Sequence, residues 1–251
     1  MFVEKIKNNK FLFFLLFTDL LLIVIHIIWG NAYRSFNLDV EQNIPTLYQG
    51  LKLLFAGHVS LLVTYLLVRM KSENRSSLVY FIYATLGLIY LGIDEIGQIH
   101  ETIGDRIAEF FPELVINVRQ MVYDAGYLSS DWLIFMVPIA LVASVFVPYT
   151  FKYIVSFSLK EKLLLALGAL CIVLVIPVEF IGSYNYYEYS TGELSYNISI
   201  IIEESLELIG ISILSYLQLS LLKQHAEAFL ANEARKSREK DTRKKKVLQS
   251  T

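Results

Sequence analysis

Residues 198–222 read ISIIIEESLELIGISILSYLQLSLL. The stretch is long and apolar enough for a helix to cross a membrane, since ~20 residues at ~1.5 Å each span ~30 Å of hydrocarbon. Yet it carries Glu203, Glu204 and Glu207. A carboxylate in hydrocarbon is costly, so such groups face a protein interior and pair with a proton, a cation or a metal. Residues three and four apart are neighbours on a helix, so the Glu-Glu-x-x-Glu cluster sets like charges side by side. Some must be protonated, or a cation must sit between them.

Five further stretches share this character, at about 11–29, 47–69, 77–99, 132–150 and 163–182, each near the ~20 residues a crossing needs. The chain is 55% hydrophobic and holds five prolines and twelve glycines in 251 residues. The expected fold is all-α, a six-helix transmembrane bundle over 1–222 followed by a basic tail, 223–251. Lys5, Lys7 and Lys10 precede the first span; Arg69, Lys71 and Arg75 follow the second; Lys152, Lys160 and Lys162 follow the fourth. Basic residues stay on the cytoplasmic side, which predicts an integral membrane protein with both termini cytoplasmic. The first span, with Asp19 and His26 inside it and no small-residue cleavage pattern, reads as an uncleaved helix and not a signal peptide. The single Cys171 excludes an internal disulfide.

Between spans three and four, Ile103, Ile107, Phe110, Phe111, Leu114, Val115, Val118 and Val122 recur at helical spacing. This predicts an external amphipathic segment, two short helices broken near Pro112, resting on the membrane or capping the bundle. Tyr184, Tyr186, Tyr187, Tyr189 and Tyr196 suit an interfacial aromatic belt. The tail sequence RKSREKDTRKKK suits anionic lipid headgroups, with no nucleic acid expected beside a membrane.

On span three, Tyr83, Gly87, Tyr90, Asp94, Gln98 and Glu101 fall on one stripe, which is expected to face protein. Glu95 and His100 flank it. At ~1.5 Å per residue, Asp94, Glu179 and His26 lie about 5 Å inside the outer boundary, Glu203 about 8 Å and Glu207 about 13 Å. His58 and Asp19 lie deeper, as a second tier or a relay.

Carboxylates with one or two histidines suit Ca²⁺, Mn²⁺, Fe²⁺ or Zn²⁺. A divalent metal site is therefore expected near the outer face, with Asp94, Glu101, Glu179, Glu203 and Glu207 as oxygen ligands and His26 or His58 as nitrogen ligands. Glu95, Gln98, His100 and Glu204 are additional candidates. A catalytic version would act on a lipid or other membrane substrate. Two other readings stay open: a proton or cation conduit using Asp19, His58 and the outer acids, and a non-catalytic sensor or scaffold. Lys52, near the start of span two, could neutralise one carboxylate but not the set.

The motifs Asp94-Glu95-x-x-x-x-His100-Glu101 and Glu203-Glu204-x-x-Glu207 resemble those of uncharacterised bacterial multi-pass inner-membrane proteins, a resemblance that implies no activity. There is a looser similarity to transmembrane hydrolases of the alkaline ceramidase type, which pair Asp-Glu with membrane-embedded histidines around zinc. This chain departs from them in having six expected spans and glutamates in the last one.

Overall fold

The computed structural model describes residues 10–30, 32–38, 42–71, 75–113, 115–117, 120, 147–188 and 193–250. Among them the chain forms helices joined by short turns, with no strand. The main helices are α1 (Lys10–Trp29), α2 (Ile44–Arg69), α3 (Arg75–Gly97), α4 (Ile99–Phe110), α5 (Val147–Ile154), α6 (Leu159–Glu188) and α7 (Glu193–Ser250). Four helical stretches are long and apolar enough to cross a membrane: Lys10–Trp29, Ile44–Arg69, Arg75–Gly97 and Leu159–Val178. This is a membrane-associated helical protein. The predicted fourth span, 132–150, lies outside the described residues except where its end enters α5. The predicted sixth lies inside α7, whose glutamates set it apart from the other four. Residues 184–196, with the tyrosine belt, have no described side chains.

Helix starts and stops follow local chemistry. Asn43 caps α2, its side chain accepting from the backbone N–H of Thr46 at 3.0 Å, and Pro45 fills the first turn where no donor is needed. Ser158 and Glu161 form a reciprocal capping box at the start of α6: Glu161 accepts from the Ser158 N–H and hydroxyl, both at 2.8 Å. Helix α3 stops at Gly97 because Gln98 adopts a left-handed backbone, φ 51°. The predicted stripe therefore does not continue to Glu101, which lies in a separate helix, α4.

Packing centres on α7, which lies against α6, α2 and α1, while α2 also packs on α3. Small residues let backbones approach. A Cβ built on Gly92 would stand 2.9 Å from the Gly50 carbonyl oxygen and 2.8 Å from Leu54 Cγ. At the α6–α7 contact, Gly168 and Gly210 face each other in the same way. Partner numbering gives direction. Across α2 and α7, Gln49 meets Glu207, Lys52 meets Ser212 and Ser60 meets Gln218, so both numbers rise together and the helices run parallel. Helix α3 is antiparallel to α2, since Gly50 meets Gly92 and Gly57 meets Ile89. Helix α6 is antiparallel to α7, since Glu161 meets Gln224 and Gly168 meets Gly210.

An apolar core of Val63, Leu67, Tyr80, Phe81, Tyr153, Phe157, Leu217 and Leu221 fills the end where α2 turns into α3. Its rings meet edge to face, as Tyr80–Phe81 do at 5.0 Å between centroids. Helix α7 then continues as one rod through the predicted tail to Ser250, with exposed pairs such as Lys236–Glu233 at 2.8 Å and Arg235–Glu239 at 3.3 Å.

Candidate functional site

The polar centre lies where α1, α2 and α7 meet. Lys52 is buried, and its ammonium donates to Asp19 Oδ1 at 2.8 Å, to the Leu208 carbonyl at 2.9 Å and to Ser212 Oγ at 3.1 Å. Ser212 in turn donates to Asp19 Oδ2 at 2.6 Å. All three protons of the ammonium thus have acceptors, and Asp19, fully enclosed, uses both oxygens. The Tyr48 ring packs 4.6 Å from the Lys52 nitrogen and adds a cation–π contact. Leu15, Asp19 and Leu22 form the buried stripe of α1, so this ion pair is also what docks α1.

One turn above it, Gln49 donates to Glu207 at 2.7 Å. Glu95 and Glu207 both act electrostatically on the Lys52 ammonium, which places acids from α3 and α7 around it. Glu203 and Glu204 are half-buried, and they, Glu95, Glu207 and Asp94 are each engaged in polar or electrostatic contacts.

The predicted ligands fare unequally. Asp94 is buried at the end of α3. His26 does not offer its Nδ1 to a metal: that atom accepts the Leu38 backbone N–H at 3.0 Å, tying the loop after α1 to the helix. His58 is exposed, and its Nδ1 bonds its own helix at Leu54 O, 2.7 Å away. Six residues from Lys52, it points about 120° from the ion pair. Gln98 accepts from Gln42 across the loop. The side chains of His100, Glu101 and Glu179 lie outside the described residues. Among the described residues no group of three or more His, Cys, Asp or Glu is arranged to hold a metal. The stripe on α3 faces protein only near Asp94; Tyr83 is at the surface, and nothing lies within 4 Å of a Cβ built on Gly87.

Below the ion pair the α2–α7 seam stays polar. Ser215 donates to the Lys52 carbonyl at 3.4 Å, Ser60 donates to Gln218 Oε1 at 3.1 Å, and Gln218 Nε2 donates to the Tyr80 hydroxyl at 3.1 Å. At the end of the seam the Tyr153 hydroxyl and His225 Nε2 share a hydrogen bond of 2.9 Å, with the Phe81 ring edge-on to the imidazole. Glu161, buried and held by Ser158 and Gln224, lies beside it. The sequence reading passed over Gln49, Gln218, Ser60 and His225. Their signal was spacing: Glu207, Ser215, Gln218 and His225 fall within about 80° on α7, and Gln49, Lys52 and Ser60 within about 80° on α2.

Burial pushes the His225 imidazole below its ordinary range, and Glu161 partly opposes this. The unfolded chain then binds the extra proton first, so the stability tied to neutral His225 is whole above about pH 6.5 and is lost as pH falls through the folded value. Thermal unfolding in detergent, scanned downward from neutral pH, is expected to show this loss, and His225→Gln to flatten it.

A family model described as a domain of unknown function, DUF8692, matches residues 14–221. No curated protein and no solved structure matches the chain.

Proposed function

The chain belongs to the DUF8692 family, domains of unknown function, and from its own geometry we propose that it is a six-span inner-membrane conduit for protons or cations, worked by the Lys52–Asp19 pair. The six-span reading is supported by direction. Helices α3 and α6 both run opposite to α7, so the chain must cross back once between them. Tyr153 of α5 already packs on Tyr80 and Phe81, at the far end of α3 from Gly97. Residues 132–150 have the length for that crossing. Orientation is supported by charge: Arg69, Lys71, Arg75, Lys152, Lys160 and Lys162 belong to the helix ends and turns at this one end, which suits the cytoplasmic face.

The observation that carries the function is the buried ammonium with carboxylates on two levels, Asp19 beside it and Glu207 and Glu95 acting on it from other helices. A proton or cation arriving at Asp19 neutralises the partner that holds Lys52. The long lysine stem then lets the ammonium turn to Glu207, and loss of the arriving charge restores the pair. One positive charge enters and one leaves per cycle. The outer glutamates concentrate cations at the mouth.

Purified protein in liposomes is expected to pass protons or monovalent cations under an imposed gradient, and Asp19→Asn to lower that flux at least tenfold. Wild-type liposomes no leakier than empty ones would overturn the reading.

A further inference from the structure

We propose that α4 is a lipid anchor, an amphipathic helix lying along the leaflet at the Gly97 end of α3 with Ile103 and Phe110 turned into the acyl chains. This rests on α3 crossing the membrane and not on the conduit reading.

The corner that launches α4 is a single residue. Gln98 donates its backbone N–H to the Asp94 carbonyl at 2.7 Å, closing α3, and its own carbonyl accepts the Thr102 N–H at 3.1 Å, opening α4. Between these two bonds its φ is 51°, a left-handed backbone that residues other than glycine rarely adopt. Gln42, also left-handed with φ 58°, donates its side-chain amide to that of Gln98, so the corner is pinned to the loop before α2. Helix α4 therefore need not continue the axis of α3, and it starts at the level where the apolar span ends.

What α4 packs on decides between a cap and an anchor. Among the described residues its main contact is with α3, the helix it follows; α1, α2 and α7, which surround the polar centre, have no comparable contact with it. A lid over the mouth would have to lie across those helices. The apolar residues of α4, Ile99, Ile103, Ile107 and Phe110, recur by threes and fours. Ile99, Ile103 and Phe110 fall within about 40° on the helix, and Thr102, Arg106 and Glu109, all exposed, within the neighbouring 60° or so. Phe110 is 75% exposed, and Phe111, just beyond the helix, 61%. On α3, Leu86 and Ile93 are likewise exposed, and in a spanning helix it is lipid that covers them. Helix α4 begins six residues after Ile93, so the same acyl-chain layer reaches its apolar arc. Arg106 stands at the border of the two arcs, paired with Glu109 at 2.8 Å, and its long stem lets the guanidinium stay at headgroup level.

Charge says what kind of lipid surface this is. Helix α4 holds Glu101, Asp105 and Glu109 against Arg106 and His100, so anionic headgroups offer it no net attraction. Apolar area holds α4 in place, in contrast to the attraction of anionic headgroups for the basic tail.

The full chain carrying Cys171→Ser and single spin-labelled cysteines in place of Thr102, Ile103, Glu109 or Phe110 provides the test. Each variant is placed in phosphatidylcholine vesicles with and without phosphatidylglycerol, and collisions are measured with oxygen, which concentrates among acyl chains, and with a water-soluble nickel chelate. The oxygen-to-nickel ratio is expected to be about fivefold higher at Ile103 and Phe110 than at Thr102 and Glu109, and unchanged by phosphatidylglycerol. Should Ile103→Cys fail to fold, the exposed Phe110 against Thr102 and Glu109 carries the comparison. High nickel access at all four positions would put α4 in water. Low access to both reagents at Ile103 and Phe110 would mean that protein covers the face, from elsewhere in this chain or from a second copy. Either result overturns the anchor, and a ratio that rises only with phosphatidylglycerol overturns the apolar basis given for it. None of these readings measures flux, so loss of the conduit leaves the anchor standing and loss of the anchor leaves the conduit.

Discussion

Lys52→Met is expected to destabilise the purified protein by about 3–5 kcal/mol, because it strands the Asp19 carboxylate in an enclosed site without its countercharge. Asp19 is fully enclosed and its two oxygens receive the ammonium and the Ser212 hydroxyl. The double variant Asp19→Leu/Lys52→Met removes both charges and is expected to recover most of the loss, since apolar replacements of buried pairs are commonly neutral or better. Thermal or denaturant unfolding of the wild type, both single variants and the double variant completes the cycle. A Lys52→Met protein as stable as the wild type would mean that Asp19 is held neutral by other means. The same series reports on α1. Most of that helix shows large apolar side chains outward, Phe13, Phe17, Leu20 and Ile27 among them. Lipid offers these as good a partner as protein does, so they add little to docking. Crosslinking of α1 to α7 is therefore expected to fall in Lys52→Met and return in the double variant.

Gly92→Leu is the second large effect. Even a Cβ at this position meets Leu54 and the Gly50 carbonyl below 3.0 Å, and the obstacle is partly backbone, which cannot rotate away. Forcing four more carbons between α2 and α3 is expected to cost about 3 kcal/mol, the upper end for overpacking, and to show as poor recovery of monodisperse protein. Gly87→Ala on the same helix is the contrast. With nothing within 4 Å of the added methyl, it should be neutral or gain up to about 1 kcal/mol from helix propensity. Equal behaviour of the two variants would disprove the close α2–α3 approach.

Much of this architecture was legible in the residues, and the failures have physical causes. Runs of apolar side chains marked α1, α2, α3 and α6 to within a few residues, because hydropathy depends on composition alone. Buried acids marked the polar region for the same reason: their cost is local. What could not be read was which helix faces which. His26, expected at the depth of Asp94, bonds its own following loop through Leu38. Depth along a span also says nothing of azimuth, and the His58 side chain is exposed. Lys52 was seen as one possible countercharge; that it meets Asp19 depends on an α1–α7 contact invisible along the chain. The break after Gly97 was missed because no proline announces it, and the left-handed turn falls on Gln98 instead of the glycine.

Helix α7 reaches from the acid cluster through the ion pair and the His225 site to residue 250 in 58 residues, ~87 Å at a helical rise. It contains no proline, and its one glycine, Gly210, is clamped against Gly168. Such a rod has no joint at which a disturbance can be absorbed. Any tilt imposed at the Lys52–Asp19 pair would be delivered to the far end as a sweep several times larger than its cause. Helix α7 is thus built as a lever, its charged end joined without a break to the segment that holds Lys52 and Asp19.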